Sequence, residues 1–343
     1  MAHRGRTMLA PWHWHIEISS KCTLQCPRCA RSEVPDSLIN TELKLDFFKK
    51  NFTMGFIATK LHKVTFCGDD GDPIYAHDLI PVIRYLKSIR DVAIVIVTNG
   101  SYKKAEWWAE LGRALEENDE VHFSIDGYDQ ASNEQYRVNS DFESIMLGAK
   151  TLREHSKCYM TWAAIAFKFN ENHLDTMKDM AKQIGFDNFQ LTKSTKFGSK
   201  NSLYGIDDAL EPTNKNLISS THRFQRESTK LSERQLNLRY INHNEKIYNE
   251  STEINGIKPI CHIGNKGLYI NSRGEFYPCC WVANRYGHNS KWLDIAKNYN
   301  LYEKNLEDVI LDEFWNKDFL QGSMECATKC AVHVVDKNYA TEW

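Results

Sequence analysis

From residue 16 to residue 191, short β-branched or apolar runs alternate with amphipathic stretches, and this alternation constrains the fold more than any other feature. A strand that returns through a helix to a parallel neighbour is the βαβ unit, and its repetition builds a parallel sheet covered by helices. Ile16–Ile18, Lys63–Phe66, Val92–Val97, Glu120–Ile125, Met160–Phe167 and Asn188–Leu191 read as strands. Asp46–Met54, Leu79–Ile89, Lys103–Glu116, Phe142–His155 and Leu174–Ile184 carry helical spacing, and Gly185 reads as a helix stop. Six units in this length predict an α/β fold with a partial (β/α)6 TIM-like barrel, since a full eight-unit barrel takes about 250 residues. Function is then expected at the C-terminal ends of the strands.

The segments at those ends are rich in chemistry. Cys22-Thr-Leu-Gln-Cys26-Pro-Arg-Cys29 follows the first strand, Cys67-Gly68-Asp69-Asp70-Gly71-Asp72-Pro73 the second and Thr98-Asn99-Gly100-Ser101 the third, while Ser124-Ile125-Asp126-Gly127 closes the fourth. Three thiolates on one short loop can hold three corners of an iron–sulfur cube and leave the fourth open. A structural zinc site instead closes its tetrahedron with a fourth protein ligand, for which His13 or His15 would have to serve. The chain has 343 residues and ten cysteines; at that length it needs no disulfide staples, so the clustered spacing points to metal binding in a reducing compartment. A net charge of -2 gives no general surface for nucleic acid, although local basic patches stay open. With neither an 18-residue apolar run nor a signal-peptide core, no membrane span or secretion is expected, and the location expected is cytoplasmic.

The Cys-x3-Cys-x2-Cys loop, the Gly-Asp-Pro turn and the later strand-end motifs resemble the radical S-adenosylmethionine (SAM) superfamily across residues 10–195. The resemblance implies that Cys22, Cys26 and Cys29 ligate a 4Fe-4S cluster whose open iron is chelated by the methionyl amine and carboxylate of SAM. One electron from an external donor such as flavodoxin or ferredoxin would cleave the cofactor to a 5'-deoxyadenosyl radical, which abstracts hydrogen from substrate. The family's Gly-Gly-Glu-Pro turn corresponds here to Asp70, Gly71, Asp72 and Pro73, with Asp70 for the first glycine and Asp72 for the glutamate. These four are expected around the cofactor's amino group, and Asn99, Ser124 and Asp126 at its carboxylate and ribose. Arg28 stands where many members place an aromatic residue against adenine, and its planar guanidinium can partly replace that stack.

Beyond this core, residues 196–258 read as a polar connector or insertion. In residues 259–335, Cys261, Cys279, Cys280, Cys326 and Cys330 surround a hairpin-like stretch whose turn is Asn271–Gly274. This part resembles the twitch or SPASM extension, a small α+β domain, which implies one auxiliary 4Fe-4S cluster on Cys261, Cys279, Cys326 and Cys330. Cys280 is the spare and can exchange roles with Cys279; a four-cysteine zinc knot is the competing reading. Cys67 and Cys158 read as buried apolar residues, and Trp12, Trp14, Trp107 and Trp108 as packing. A fully ligated auxiliary cluster suits electron relay, hence dehydrogenation or oxidative bond formation on a small polar molecule or a peptide side chain. About 15 residues precede the first strand, too few for a peptide-recognition domain, which tilts the expectation toward a small substrate. Lys168, Asn170, Gln190 and Thr192 are pocket candidates by position. The alternative from another class is a noncatalytic two-cluster electron carrier or redox sensor, in which the Gly68–Pro73 turn is idle.

Overall fold

A computed structural model describes residues 13–33, 35–55, 61–191, 207–219, 268–283 and 290–315. Strands β1 (His13–Ile16), β2 (Lys63–Phe66), β3 (Ala93–Thr98), β4 (Glu120–Ser124), β5 (Tyr159–Ala164) and β6 (Asn188–Leu191) pair in parallel, each with the next in sequence. The intervening helices include Leu45–Asn51, Leu79–Ile89, Ala105–Ala114, Phe142–His155 and Leu174–Ile184. Gly185 ends the last of these in the left-handed region at φ 98°, as a glycine stop requires.

A hairpin of β7 (Leu268–Ile270) and β8 (Phe276–Tyr277) completes one eight-stranded sheet in the order β6-β5-β4-β3-β2-β1-β7-β8. β7 lies parallel to β1, with Ile16 opposite both Phe66 and Ile270, so the C-terminal hairpin extends the barrel's own sheet rather than forming a separate one. Its turn is closed by Asn271, whose side-chain oxygen accepts from the backbone of Arg273 and Glu275 at 3.0 and 3.1 Å, and by Gly274 at φ 81°.

Side chains alternate sharply along β1. Trp14, Ile16 and Ile18 are fully buried in the layer beneath the helices, where Trp14 meets Phe52 edge-on at 5.4 Å. Each such large apolar side chain contributes about 1.5–3 kcal/mol by leaving water. His13, His15 and Glu17 occupy the alternate positions and are also buried, so the opposite face of this strand is polar rather than the usual packed aliphatic layer. His13 is hydrogen-bonded to Thr65 Oγ1 at 3.0 Å, and His15 Nε2 donates to the Cys67 carbonyl at 3.0 Å.

Several expected boundaries shift by a few residues, and two of the shifts have local reasons. β5 stops at Ala164 instead of Phe167, because the Ile165 and Phe167 N–H groups are taken by the side chains of Asp126 (2.7 Å) and Asn170 (2.8 Å). β1 ends at Ile16, after which the Ile18 carbonyl accepts from Leu43 N at 2.8 Å and the chain turns toward the cysteine loop. Of the expected polar connector only 207–219 is described, and it is not merely polar: Leu210 joins the apolar cluster of Leu24, Cys26, Tyr136, Ile165 and Phe167.

Candidate active site

The cysteine loop leaves β1 and is pinned at both ends. Gln25 N donates to the Val138 carbonyl at 3.0 Å, Cys29 N to the Cys26 carbonyl at 3.1 Å, and the short helix Ala30–Glu33 begins on the Cys29 carbonyl. Cys22, Cys26 and Cys29 carry free thiols and share one apolar cluster with Tyr136 and Phe167, whose rings lie 4.5 Å apart. Burial, then the Asp72 carboxylate, pushes the Cys22 thiol up to about 12, and a bound metal would favour its thiolate. Leu24 N and Asn99 Nδ2 approach its sulfur at 3.4 and 3.5 Å, the positions of donors to a ligating sulfur.

The Asp70–Pro73 turn lies directly against this loop. A Cβ on Gly71 would stand 2.0 Å from the Ser19 carbonyl oxygen and 2.5 Å from Ser20 Cα, so only glycine lets the two backbones touch. Asp72 N donates to the Lys21 carbonyl at 2.9 Å, and Pro73 opens a 3-10 turn capped by the Asp72 side chain. Both Asp72 oxygens are engaged. One accepts from Ile74 N (3.1 Å) and Thr98 Oγ1 (2.8 Å), the other from the backbone and the side-chain nitrogens of Asn99 (both 2.6 Å). Burial lifts the Asp72 carboxyl to about 6, held back by those donors. The carboxylate is therefore a clamp that aims Asn99 at Cys22.

Asp70 is buried and joined to the loop through its backbone: its N–H donates to Glu17 Oε1 at 2.7 Å, and its carbonyl accepts from Arg31 at 2.9 Å. Arg31 also donates to the Ser20 carbonyl. Burial, with the charges of Asp70 and Asp69 beside it, raises the Glu17 carboxyl to about 8. Glu17 also accepts from Ser272 N at 3.4 Å, so one side chain ties the turn to the hairpin.

Asp126, 0% exposed, binds Arg137 Nε at 2.6 Å and Ile165 N at 2.7 Å, and its own N–H donates to Asn133 at 3.0 Å. Its two oxygens thus serve the fold first, and the side chain it presents toward the thiols is Arg137. Burial alone would lower that guanidinium's pKa, but the charges of Asp126 and Cys26 outweigh it and hold it raised. Ser124 is half-buried at the end of β4, opposite Ala163.

Arg28 forms ion pairs at 3.6 Å with Glu33 and Asp207. Of the pocket candidates, Asn170 is a structural brace that donates to the Asp126 carbonyl at 2.7 Å, Lys168 reaches the Asp208 carbonyl at 3.4 Å, Gln190 is half-buried on β6, and Thr192 lies outside the described residues. Cys261, Cys326 and Cys330 also lie outside them, whereas Cys279 is buried and Cys280 half-buried beside the hairpin. Cys158 is fully buried in the apolar core. Cys67 has Asp69 and Cys280 within electrostatic reach, and burial pushes its thiol well up.

The sequence reading missed Glu17, Arg137 and Leu210. Glu17 had a signal, since it continues the His13, His15 alternation to the strand end; Arg137 and Leu210 had none, being placed only by tertiary folding. The donor set fits a cube with one open corner: three free thiols on one loop, an apolar wall and an amide aimed at a sulfur. It does not fit single zinc. The histidines that would have to close a zinc tetrahedron are committed elsewhere, His13 to Thr65 Oγ1 and His15 to the Cys67 carbonyl.

Comparison with known proteins agrees with this geometry. The radical SAM superfamily profile matches residues 16–184. The antilisterial bacteriocin subtilosin biosynthesis protein AlbA of Bacillus subtilis (strain 168) is 21% identical over 326 residues, covering 92% of this chain, which spans only 64% of that protein. The fold matches SuiB of Streptococcus suis bound to S-adenosylmethionine at a TM-score of 0.58 and 15% identity, covering 95% of this chain and 72% of that one. It also matches anSMEcpe with bound AdoMet at 0.54 and 14% identity, covering 90% and 82%. Profile and fold agree on this part of the chain: residues 16–184, with the cysteine loop and its partial barrel, belong to the radical SAM superfamily.

Proposed function

We propose that this chain is a peptide-modifying radical SAM enzyme that removes hydrogen from a peptide side chain, in a dehydrogenation or an oxidative bond formation. Membership of the family implies a 4Fe-4S cluster and SAM; Cys22, Cys26 and Cys29 would hold the cluster. What the pair supplies when bound is a 5'-deoxyadenosyl radical, made by one-electron cleavage of the sulfonium. The chain's own residues prepare the place for it. Gly71 and Pro73 bring the turn's backbone against the loop, Asp72 fixes Asn99 beside Cys22, and Asp126 fixes Arg137 near Cys26, where a guanidinium suits a carboxylate. Asp70 and Ser124 stand at the same rim.

The observation that carries this reading is the Asp72–Asn99–Cys22 chain of contacts, which an idle Gly68–Pro73 turn in a simple electron carrier has no reason to build. The choice of peptide over small molecule rests on the relatives: AlbA serves bacteriocin biosynthesis, and SuiB has been captured with its precursor peptide SuiA. An oxidation needs a sink for the substrate radical's second electron. An auxiliary 4Fe-4S cluster on Cys261, Cys279, Cys326 and Cys330 would provide it.

The test is anaerobic incubation of the reconstituted, reduced protein with SAM and candidate precursor peptides, followed by mass spectrometry. The reading expects 5'-deoxyadenosine and a peptide lighter by two hydrogens. Full iron loading without 5'-deoxyadenosine would favour the electron carrier.

A further inference from the structure

A groove of about 590 Å³ lies at the outer rim of the barrel, and it reaches the residue that precedes the cysteine loop. Lys21, the residue before Cys22, lines it together with Lys44, Tyr75, Lys103 and Trp107. Lys103 Nζ stands 4.8 Å from the Trp107 ring centroid and 5.8 Å from that of Tyr75, a cation held between two aromatic side chains. Tyr75 in turn touches the loop: its hydroxyl accepts from Thr23, the residue after Cys22, at 2.7 Å and donates to the Ser101 carbonyl at 2.9 Å. The groove's acids are already matched. Glu42 pairs with both Lys21 and Lys44, and Glu110 pairs with Arg84 at 3.2 Å. Lys21 and Lys44 remain about half exposed, at 47% and 51%, so the rim presents cations and aromatic faces to solvent in a chain that is acidic overall.

We propose that this groove is the docking site of an acidic one-electron carrier protein that reduces the cluster on Cys22, Cys26 and Cys29. The proposal rests on the radical SAM reading above, which requires one electron per radical formed. In the step one electron leaves the reduced carrier and enters the oxidised cluster; no bond is made or broken and no proton moves. Location favours a carrier over substrate. None of the three cysteines, Asp72 or Asn99 lines the groove, so a ligand seated there does not meet the reacting carbon, which hydrogen abstraction demands. An electron needs only proximity, and the groove is one side chain, Tyr75, from the residue that follows Cys22. A small charged patch with aromatic centres is also the form of a transient electron-transfer contact, in which charge steers encounter more than it adds affinity.

The experiment uses the reconstituted holoenzyme and follows 5'-deoxyadenosine formation with two reductants, reduced bacterial flavodoxin as the acidic protein and photoreduced deazariboflavin as a small neutral one. Charge reversal by Lys44→Glu with Lys103→Glu is expected to lower kcat/KM for flavodoxin at least tenfold and to leave the deazariboflavin rate within twofold of wild type. In the wild-type enzyme, raising salt from 20 to 200 mM is expected to slow only the flavodoxin-driven reaction, a result that does not depend on any variant folding. An unchanged flavodoxin rate, an equal fall with both reductants, or loss of peptide binding with flavodoxin turnover intact would each overturn the proposal. Failure of wild type to form 5'-deoxyadenosine with deazariboflavin overturns the radical SAM reading itself, a result separate from failure of the docking site alone.

Discussion

Gly71 shows how little room the site allows. Its missing Cβ is replaced in space by the Ser19–Ser20 backbone, which cannot move aside as a flexible side chain does. Gly71→Ala is therefore expected to destabilise the protein by about 1–3 kcal/mol, as overpacking does, and to cut SAM binding; urea unfolding and equilibrium dialysis measure the two effects. Glu17 makes a different prediction. Its folded carboxyl titrates near 8 against 4.5 for the ordinary group, so between those values the folded state holds more protons than the unfolded one and stability falls as pH rises. Asp72, raised to about 6, has the same sign at lower pH, so the Glu17 contribution is read at pH 6–8 as the difference between wild type and Glu17→Gln. The apo-protein's unfolding free energy should fall more steeply from pH 6 to 8 in wild type than in Glu17→Gln; parallel curves would remove Glu17 as a source. The cysteine trio, the Gly-Asp-Pro turn and Asn99 stood out in the sequence as strand-end segments, and the structure brings them together. The bonds between them were not legible: Asp72 accepts from Asn99, 27 residues on, and Asp126 from Ile165, 39 residues on.

At the level of elements, periodicity located six strands because their apolar runs are fully buried, but it could not see where a side chain would capture backbone and end a strand. β5 shows this: Asp126 and Asn170 intercept Ile165 and Phe167, and the chain leaves the sheet three residues earlier than its composition suggests. The hairpin was legible through Asn271 and Gly274, whereas its place beside β1 was not, since strand order is decided by the partners Ile16 and Ile270 and not by local signals. Three contacts of the hairpin turn reach the core: Ser272 N on Glu17, Thr41 Oγ1 donating to Ser272 Oγ at 2.9 Å, and Gly274 beneath Tyr302 and Phe47. A Cβ at Gly274 would both strain φ 81° and stand 2.9 Å from the Tyr302 ring. Gly274→Ala should then cost about 1–3 kcal/mol, read by urea unfolding, with the larger share of the loss in the hairpin's own hydrogen-exchange protection. Uniform loss across the sheet would show that the hairpin is not a separable element.

Across the whole molecule, the hairpin joins the barrel's sheet, so the cysteine loop after β1 and Cys279 after β8 both leave strands of one sheet. Two 4Fe-4S cubes predict about eight irons per chain after anaerobic reconstitution, whereas about four irons with one zinc would assign the second cysteine group to a structural knot. Cys26 is 8% exposed within the apolar cluster, so Cys26→Ala should remove one cluster, abolish 5'-deoxyadenosine formation and leave the other cluster's absorbance in place. The account depends above all on an iron that the protein leaves open and SAM fills. Electron paramagnetic resonance of the reduced protein with and without SAM tests that claim most directly. The account predicts that SAM shifts the signal in wild type and not in Cys26→Ala; a wild-type signal unmoved by saturating SAM contradicts it.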